Sequence, residues 1–129
     1  MEYVTIVVAF ALWEYTFFSF KTGMNRGKYG VKVPSVSGNI EWEKYYRVQC
    51  NTLEQLITFI PAIYGFAYFV NPIWAAALGC VVLVGRIIFY LGYISDTPSK
   101  RTPGFMMTFF PNQILLIGTV IGAILSLLK

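Results

Sequence analysis

Apolar residues fall in four long runs: Tyr3–Phe20, Tyr45–Val70, Ile73–Ile94 and Phe105–Leu128. Each approaches or exceeds the roughly 20 residues that a helix needs to cross the hydrocarbon core of a bilayer. No run alternates with the period of two that barrel strands show. Backbone groups in lipid must bond within their own segment, so all four runs are predicted to be helices. The expected architecture is all-α: an integral membrane four-helix bundle of left-handed up-down topology, one domain spanning residues 1–129.

The stretches between the runs differ in kind. The first, Lys21–Lys44, contains Gly23, Gly27, Gly30, Pro34 and Gly38 and reads as a long loop. The second is the tight turn Asn71-Pro72, which makes the second and third helices an antiparallel hairpin. The third is Ser95–Gly104. Pro61 and Pro111 fall inside apolar runs and are expected to kink their helices or mark a change of partner. Gly118, Gly122 and Ala123 suggest close helix packing in the last run.

Charge adds a direction. Only 12% of residues are charged while 57% are hydrophobic, where a soluble domain carries about 25% charge. Of the ten basic residues, eight lie in or beside the first and third connections. The positive-inside rule then puts loops 21–44 and 95–104 in the cytoplasm and both termini on the opposite side. Trp42, Tyr45 and Tyr46 read as interface aromatics at the cytoplasmic end of the second helix, and Trp74 at the outer end of the third. Met1-Glu2 opens directly into an apolar run, with neither a basic n-region nor a cleavage site, so that run is expected to be retained. The chain has no histidine and two cysteines, Cys50 and Cys80, in no metal spacing. A histidine-assisted nucleophile and a histidine-ligated metal are excluded, no metal is expected, and nothing points to nucleic acid.

Candidate chemistry gathers in Glu41–Glu54, a charged stretch that runs without a break into an apolar segment. Arg47, Asn51 and Glu54 are spaced i, i+4, i+7 and share one helix face. The third helix answers with Arg86, Tyr90 and Tyr93, and Lys100-Arg101 follows just beyond it. Ionisable groups inside membrane segments are costly and are functional candidates by default. For Glu14 and Arg86 the competing reading is an ion pair within the bundle, Arg86 with Glu54 or Glu14. Cations facing one acidic group suit a small zwitterionic peptide with two carboxylates and an amine. A cation beside a thiol favours the thiolate, and the bilayer can deliver a lipophilic electrophile.

The stretch Glu-Trp-Glu-Lys-Tyr-Tyr-Arg-Val-Gln-Cys-Asn-Thr-Leu-Glu, residues 41–54, resembles the signature of the MAPEG family, the membrane-associated proteins in eicosanoid and glutathione metabolism. Gly85–Tyr93, followed by Lys100-Arg101-Thr-Pro-Gly-Phe105, is similar to the helix-three motif of microsomal glutathione transferase two and leukotriene-C synthase within that family. The resemblance implies a homotrimer with glutathione, the co-substrate, held between neighbouring subunits at the cytoplasmic side. By position, Arg26, Arg47, Gln49, Asn51, Glu54 and Tyr93 would hold glutathione, and Arg101 would stabilise its thiolate. The third connection is one residue longer than in those relatives, which makes Lys100 a rival for the role of Arg101. Phe89 stands where a tyrosine is expected, leaving Tyr90 as its substitute, Gln55 replaces an aromatic residue, and Gly27 replaces a second arginine. These departures point away from leukotriene synthesis.

The leading expectation is therefore a membrane glutathione transferase acting on lipophilic electrophiles in detoxification, with glutathione peroxidase activity toward lipid hydroperoxides as a side reaction. A bacterial inner membrane or the endoplasmic reticulum would house it. The alternatives are a non-catalytic lipid-binding scaffold of the same family and a small proton-coupled multidrug transporter using Glu14.

Overall fold

The computed structural model describes residues 1–129, apart from the side chain of Pro98. Four helices carry nearly the whole chain: α1 (Glu2–Tyr29), α2 (Ile40–Phe69), α3 (Pro72–Tyr93) and α4 (Thr102–Leu127). A short 3-10 turn, Pro98–Arg101, leads into α4. No strand occurs among the described residues, in agreement with the all-α expectation. α2 and α3 form the central pair, each packed on the other and on both α1 and α4, while α1 and α4 do not touch among the described residues.

Helix boundaries follow local chemistry. The Asn71 side chain caps α3 by accepting hydrogen bonds from the backbone N–H groups of Ile73 (2.8 Å) and Trp74 (3.1 Å), and Pro72 occupies the first turn, where no N–H is needed. Asn39 caps α2 by accepting from Trp42 N–H at 3.1 Å. α1 stops at Gly30, whose φ of 70° lies in the left-handed region and lets its N–H close back on the Arg26 carbonyl.

The long first loop is a correction. α1 continues through Lys21–Tyr29 and α2 is already helical at Ile40, so the connection shrinks to residues 30–39. Gly23 and Gly27 lie in the helix, where each costs about 1 kcal/mol relative to alanine. Tertiary contacts hold the extension: Trp42 Nε1 donates to the Thr22 carbonyl at 3.0 Å, and the Thr22 hydroxyl bonds to the Phe18 carbonyl (2.9 Å) and the Tyr45 carbonyl (3.1 Å). Trp42 is consequently fully buried, and no interface aromatic. Trp74 is exposed at the other end.

Three helices (α1, α3, and α4 with its preceding turn) are long and apolar enough to cross a membrane. α2, counted above as a fourth apolar run, falls short because Glu41, Glu43, Lys44, Arg47, Glu54 and Gln55 lie along it. α2 and α4 run unbroken through Pro61 and Pro111. Gly118 lies against the Phe66 ring and Gly122 against Phe69 and Val70, the close α2–α4 approach anticipated from those small residues.

Two apolar clusters fill the bundle. The larger joins Val4, Val7 and Ala11 of α1 to Phe59, Ile63 and Phe66 of α2, with Val82 and Leu115. The smaller is Phe18, Val48 and Phe89. Between them along the helices lies a polar layer of Thr52, Arg86 and Thr108, each at most 3% exposed. That layer lies behind the candidate site, joined to its lining through the Arg86–Asn51 hydrogen bond.

Candidate functional site

A cleft of about 300 Å³ opens where α2, α3, the 3-10 turn and the start of α4 meet. Arg47, Asn51, Phe89, Tyr93, Arg101, Thr102 and Phe105 line it. Arg47 and Asn51 stand one turn apart on α2, as do Phe89 and Tyr93 on α3, so each helix presents one stripe. A second cleft of about 300 Å³ shares Arg47 and Tyr93 and continues along Ile40, Glu43 and Lys44.

Close backbone approach brings Arg101 to this place. Gly92 faces the Lys100 carbonyl so tightly that any side chain there would collide with it. Gly104 likewise faces the backbone of Phe89. The turn and α4 therefore sit directly on α3, and the Arg101 guanidinium carbon lies 5.5 Å from the Tyr93 ring centre. Lys44, only 8% exposed, ties the start of α2 to the end of α3 by donating to the Ser95 carbonyl at 3.0 Å while pairing with Glu41 at 3.1 Å.

The cleft is electropositive. Arg47 and Arg101 both line it, no acidic residue does, and the α4 N-terminus begins at Thr102 with no side-chain cap. The Thr102 N–H is already bonded to the Ser99 carbonyl and Pro103 has none to offer, so the helix start contributes through its dipole alone. A unit charge about 4 Å from a guanidinium near a protein surface gains on the order of 4 kcal/mol before desolvation. No cysteine lines the cleft. Cys50 is half-buried and Cys80 is exposed, both as free thiols.

Of the residues singled out in the sequence, the structure brings Arg47, Asn51, Tyr93 and Arg101 together. Glu54 is exposed one turn beyond Asn51, on the same face but outside the lining. Gln49 is half-buried outside the cleft. Arg26 donates from Nη1 to the Ser35 carbonyl at 2.8 Å and covers the Trp42 ring at 4.6 Å. Tyr90 turns toward α1, stacked on Phe18 with ring centres 5.1 Å apart, and lines an apolar groove with Glu14, Trp13 and Leu91. Lys100 is exposed and outside the lining.

The ion pair offered for Arg86 is absent among the described residues, whose ion pairs are Met1–Glu2 and Glu41–Lys44. Arg86 instead donates from Nη1 to Asn51 Oδ1 (2.9 Å) and Thr52 Oγ1 (3.1 Å), and from Nε to Thr108 Oγ1 (3.0 Å). Threonine and asparagine oxygens take up Nη1 and Nε of the guanidinium where a carboxylate was anticipated, and Nη2 is left buried without a hydrogen-bond partner. Thr102 and Phe105 escaped the sequence reading, although Phe105 stands four residues after Arg101 and Thr102-Pro103 carries the signature of a helix start.

A bundle with three membrane-length helices and an electropositive cleft at one end defines a membrane protein. The chain matches the MAPEG family over residues 3–121 and belongs to it. It is 41% identical to an uncharacterized protein of Synechocystis over 95% of this chain and 86% of that protein. Human microsomal glutathione S-transferase 2 is 32% identical over 86% of this chain and 73% of its own length. Bovine leukotriene C4 synthase is 28% identical over 67% of this chain and 58% of its own length.

Proposed function

We propose that the protein is a glutathione transferase that conjugates the glutathione thiolate to lipophilic electrophiles at the membrane surface. One observation carries this reading: Arg47, Asn51, Tyr93 and Arg101 converge on one cleft whose lining has cations but no thiol. Glutathione supplies carboxylates for the guanidinium groups and the missing thiol. Its relatives include proteins named for glutathione transfer.

In the proposed reaction the bound thiol loses its proton to solvent, and the Arg101 guanidinium stabilises the sulfur anion left behind. The thiolate then attacks an electrophilic carbon of a substrate arriving from the lipid, forming a C–S bond as a leaving group departs or an epoxide opens. Preorganised positive charge at a developing anion contributes about 3 kcal/mol. With a lipid hydroperoxide, two glutathiones become the disulfide while the peroxide yields an alcohol and water. The active assembly is a homotrimer, and the cationic end of the bundle faces the cytoplasm, as the clustering of basic residues there supports.

The test is glutathione conjugation to an aryl halide by purified protein in detergent, with calorimetric titration of glutathione alongside. Saturable, glutathione-dependent product formation is expected. Binding without turnover, for halide and lipid peroxide alike, would leave the non-catalytic scaffold. No binding at all would remove the glutathione reading.

A further inference from the structure

We infer that Arg86 sets which end of the Asn51 amide faces the cleft, making Asn51 a hydrogen-bond donor to an oxygen of the bound co-substrate. The inference rests on the glutathione reading and adds a positioning residue to it.

An asparagine side chain has a carbonyl oxygen on one side and an NH2 group on the other, nearly identical in shape. A guanidinium carries donors only. Arg86 Nη1 lies 2.9 Å from the Asn51 amide, so the atom facing it must be the oxygen. The opposite orientation would set two donors against each other in a desolvated layer. The guanidinium itself has little freedom. Its Nη1 also bonds to Thr52, and its Nε bonds to Thr108, whose own hydroxyl proton is committed to the Gly104 carbonyl at 3.1 Å. The Phe89 ring packs 4.2 Å from the guanidinium carbon. At 3% exposure, Arg86 has almost no access to water that could take its place.

With its oxygen committed inward, Asn51 has its NH2 group left for the cleft it lines. A donor there selects a carboxylate or peptide carbonyl of the ligand and disfavours an ammonium. Arg86 never reaches the cleft lining, so it acts through Asn51 and not on the ligand.

The experiment compares wild type, Arg86→Met, Arg86→Lys, Asn51→Ala, Asn51→Asp and the double variant Arg86→Met/Asn51→Ala, by glutathione calorimetry and steady-state conjugation. Loss of the lock in Arg86→Met should weaken glutathione binding about tenfold and raise the glutathione KM equally. The kcat and the aryl-halide KM should stay within about twofold, a split that general loosening of the bundle would not produce. Arg86→Lys should recover part of the affinity, and the double variant should bind no more weakly than Asn51→Ala alone. Asn51→Asp keeps an acceptor for Arg86 but turns acceptors outward, so it should bind at least as weakly as Asn51→Ala. That variant carries the test if Arg86→Met does not fold. Wild-type-like affinity in folded Arg86→Met, additive losses in the double variant, or wild-type-like binding by Asn51→Asp would each overturn the inference alone. A wild type that does not bind glutathione would overturn the glutathione reading, and this inference with it.

Discussion

The Arg101 guanidinium stands over the Tyr93 ring at 5.5 Å, on the wall of the cleft that Arg47 and Asn51 complete. Its neighbour Lys100 is exposed and outside that wall, with its carbonyl pressed against Gly92. Arg101→Ala is therefore expected to abolish the ultraviolet thiolate signal on mixing with glutathione, lower kcat/KM about 100-fold, and leave glutathione bound. Lys100→Ala should retain the signal. The reverse pattern would move the role to Lys100.

Gly104 and Gly92 let α4 and its preceding turn lie on α3 without side chains between them. In Gly104→Ala the added methyl would meet the Phe89 backbone, which cannot swing aside as a side chain can. The expected cost is about 1–3 kcal/mol, with a lowered thermal midpoint in detergent and a weakened conjugation rate. An unchanged midpoint would show that the α3–α4 contact is looser than these distances require.

Arg26 and Gln49 lie outside the cleft of their own subunit, Arg26 resting on Trp42 and Ser35. In a homotrimer with shared sites, these residues would complete a neighbour's cleft. Chains carrying Arg26→Ala and chains carrying Arg101→Ala should then each be inactive alone, yet regain part of the activity when co-assembled, since some clefts would receive both arginines. Failure of mixed assemblies to recover any rate would argue for sites built within single subunits.

Trp42 joins the C-terminal extension of α1 to the start of α2 through its bond to the Thr22 carbonyl, and it supports Arg26 above and Tyr46 beside it. Trp42→Phe removes the donor and part of the buried ring. A loss of about 1–3 kcal/mol is expected, accompanied by faster proteolytic cutting near residues 21–39 as the extension frays. Limited proteolysis followed by mass spectrometry reads this directly, and wild-type resistance would mean that other contacts hold the segment.

Much of this protein is written locally. Four apolar runs, the Asn71-Pro72 turn and the i, i+4 spacing of Arg47 and Asn51 depend on residues near one another along the chain. The bilayer allows so few backbone solutions that hydropathy alone selects helices. The stretch Glu41–Glu54 and the Gly85–Phe105 region carried the family resemblance for the same reason. Tertiary structure decided what depended on partners distant in sequence. Gly23 and Gly27 suggested a loop, but Trp42 and Tyr45, about twenty residues away, keep α1 helical past them. Arg86 suggested a carboxylate partner, whereas the helices bring it hydroxyl and amide oxygens instead. Of two adjacent cations, both exposed, packing at Gly92 set Arg101 and not Lys100 on the wall of the cleft, because adjacent residues in a tight turn point in different directions and only the surface beneath the turn determines which of them meets the cleft.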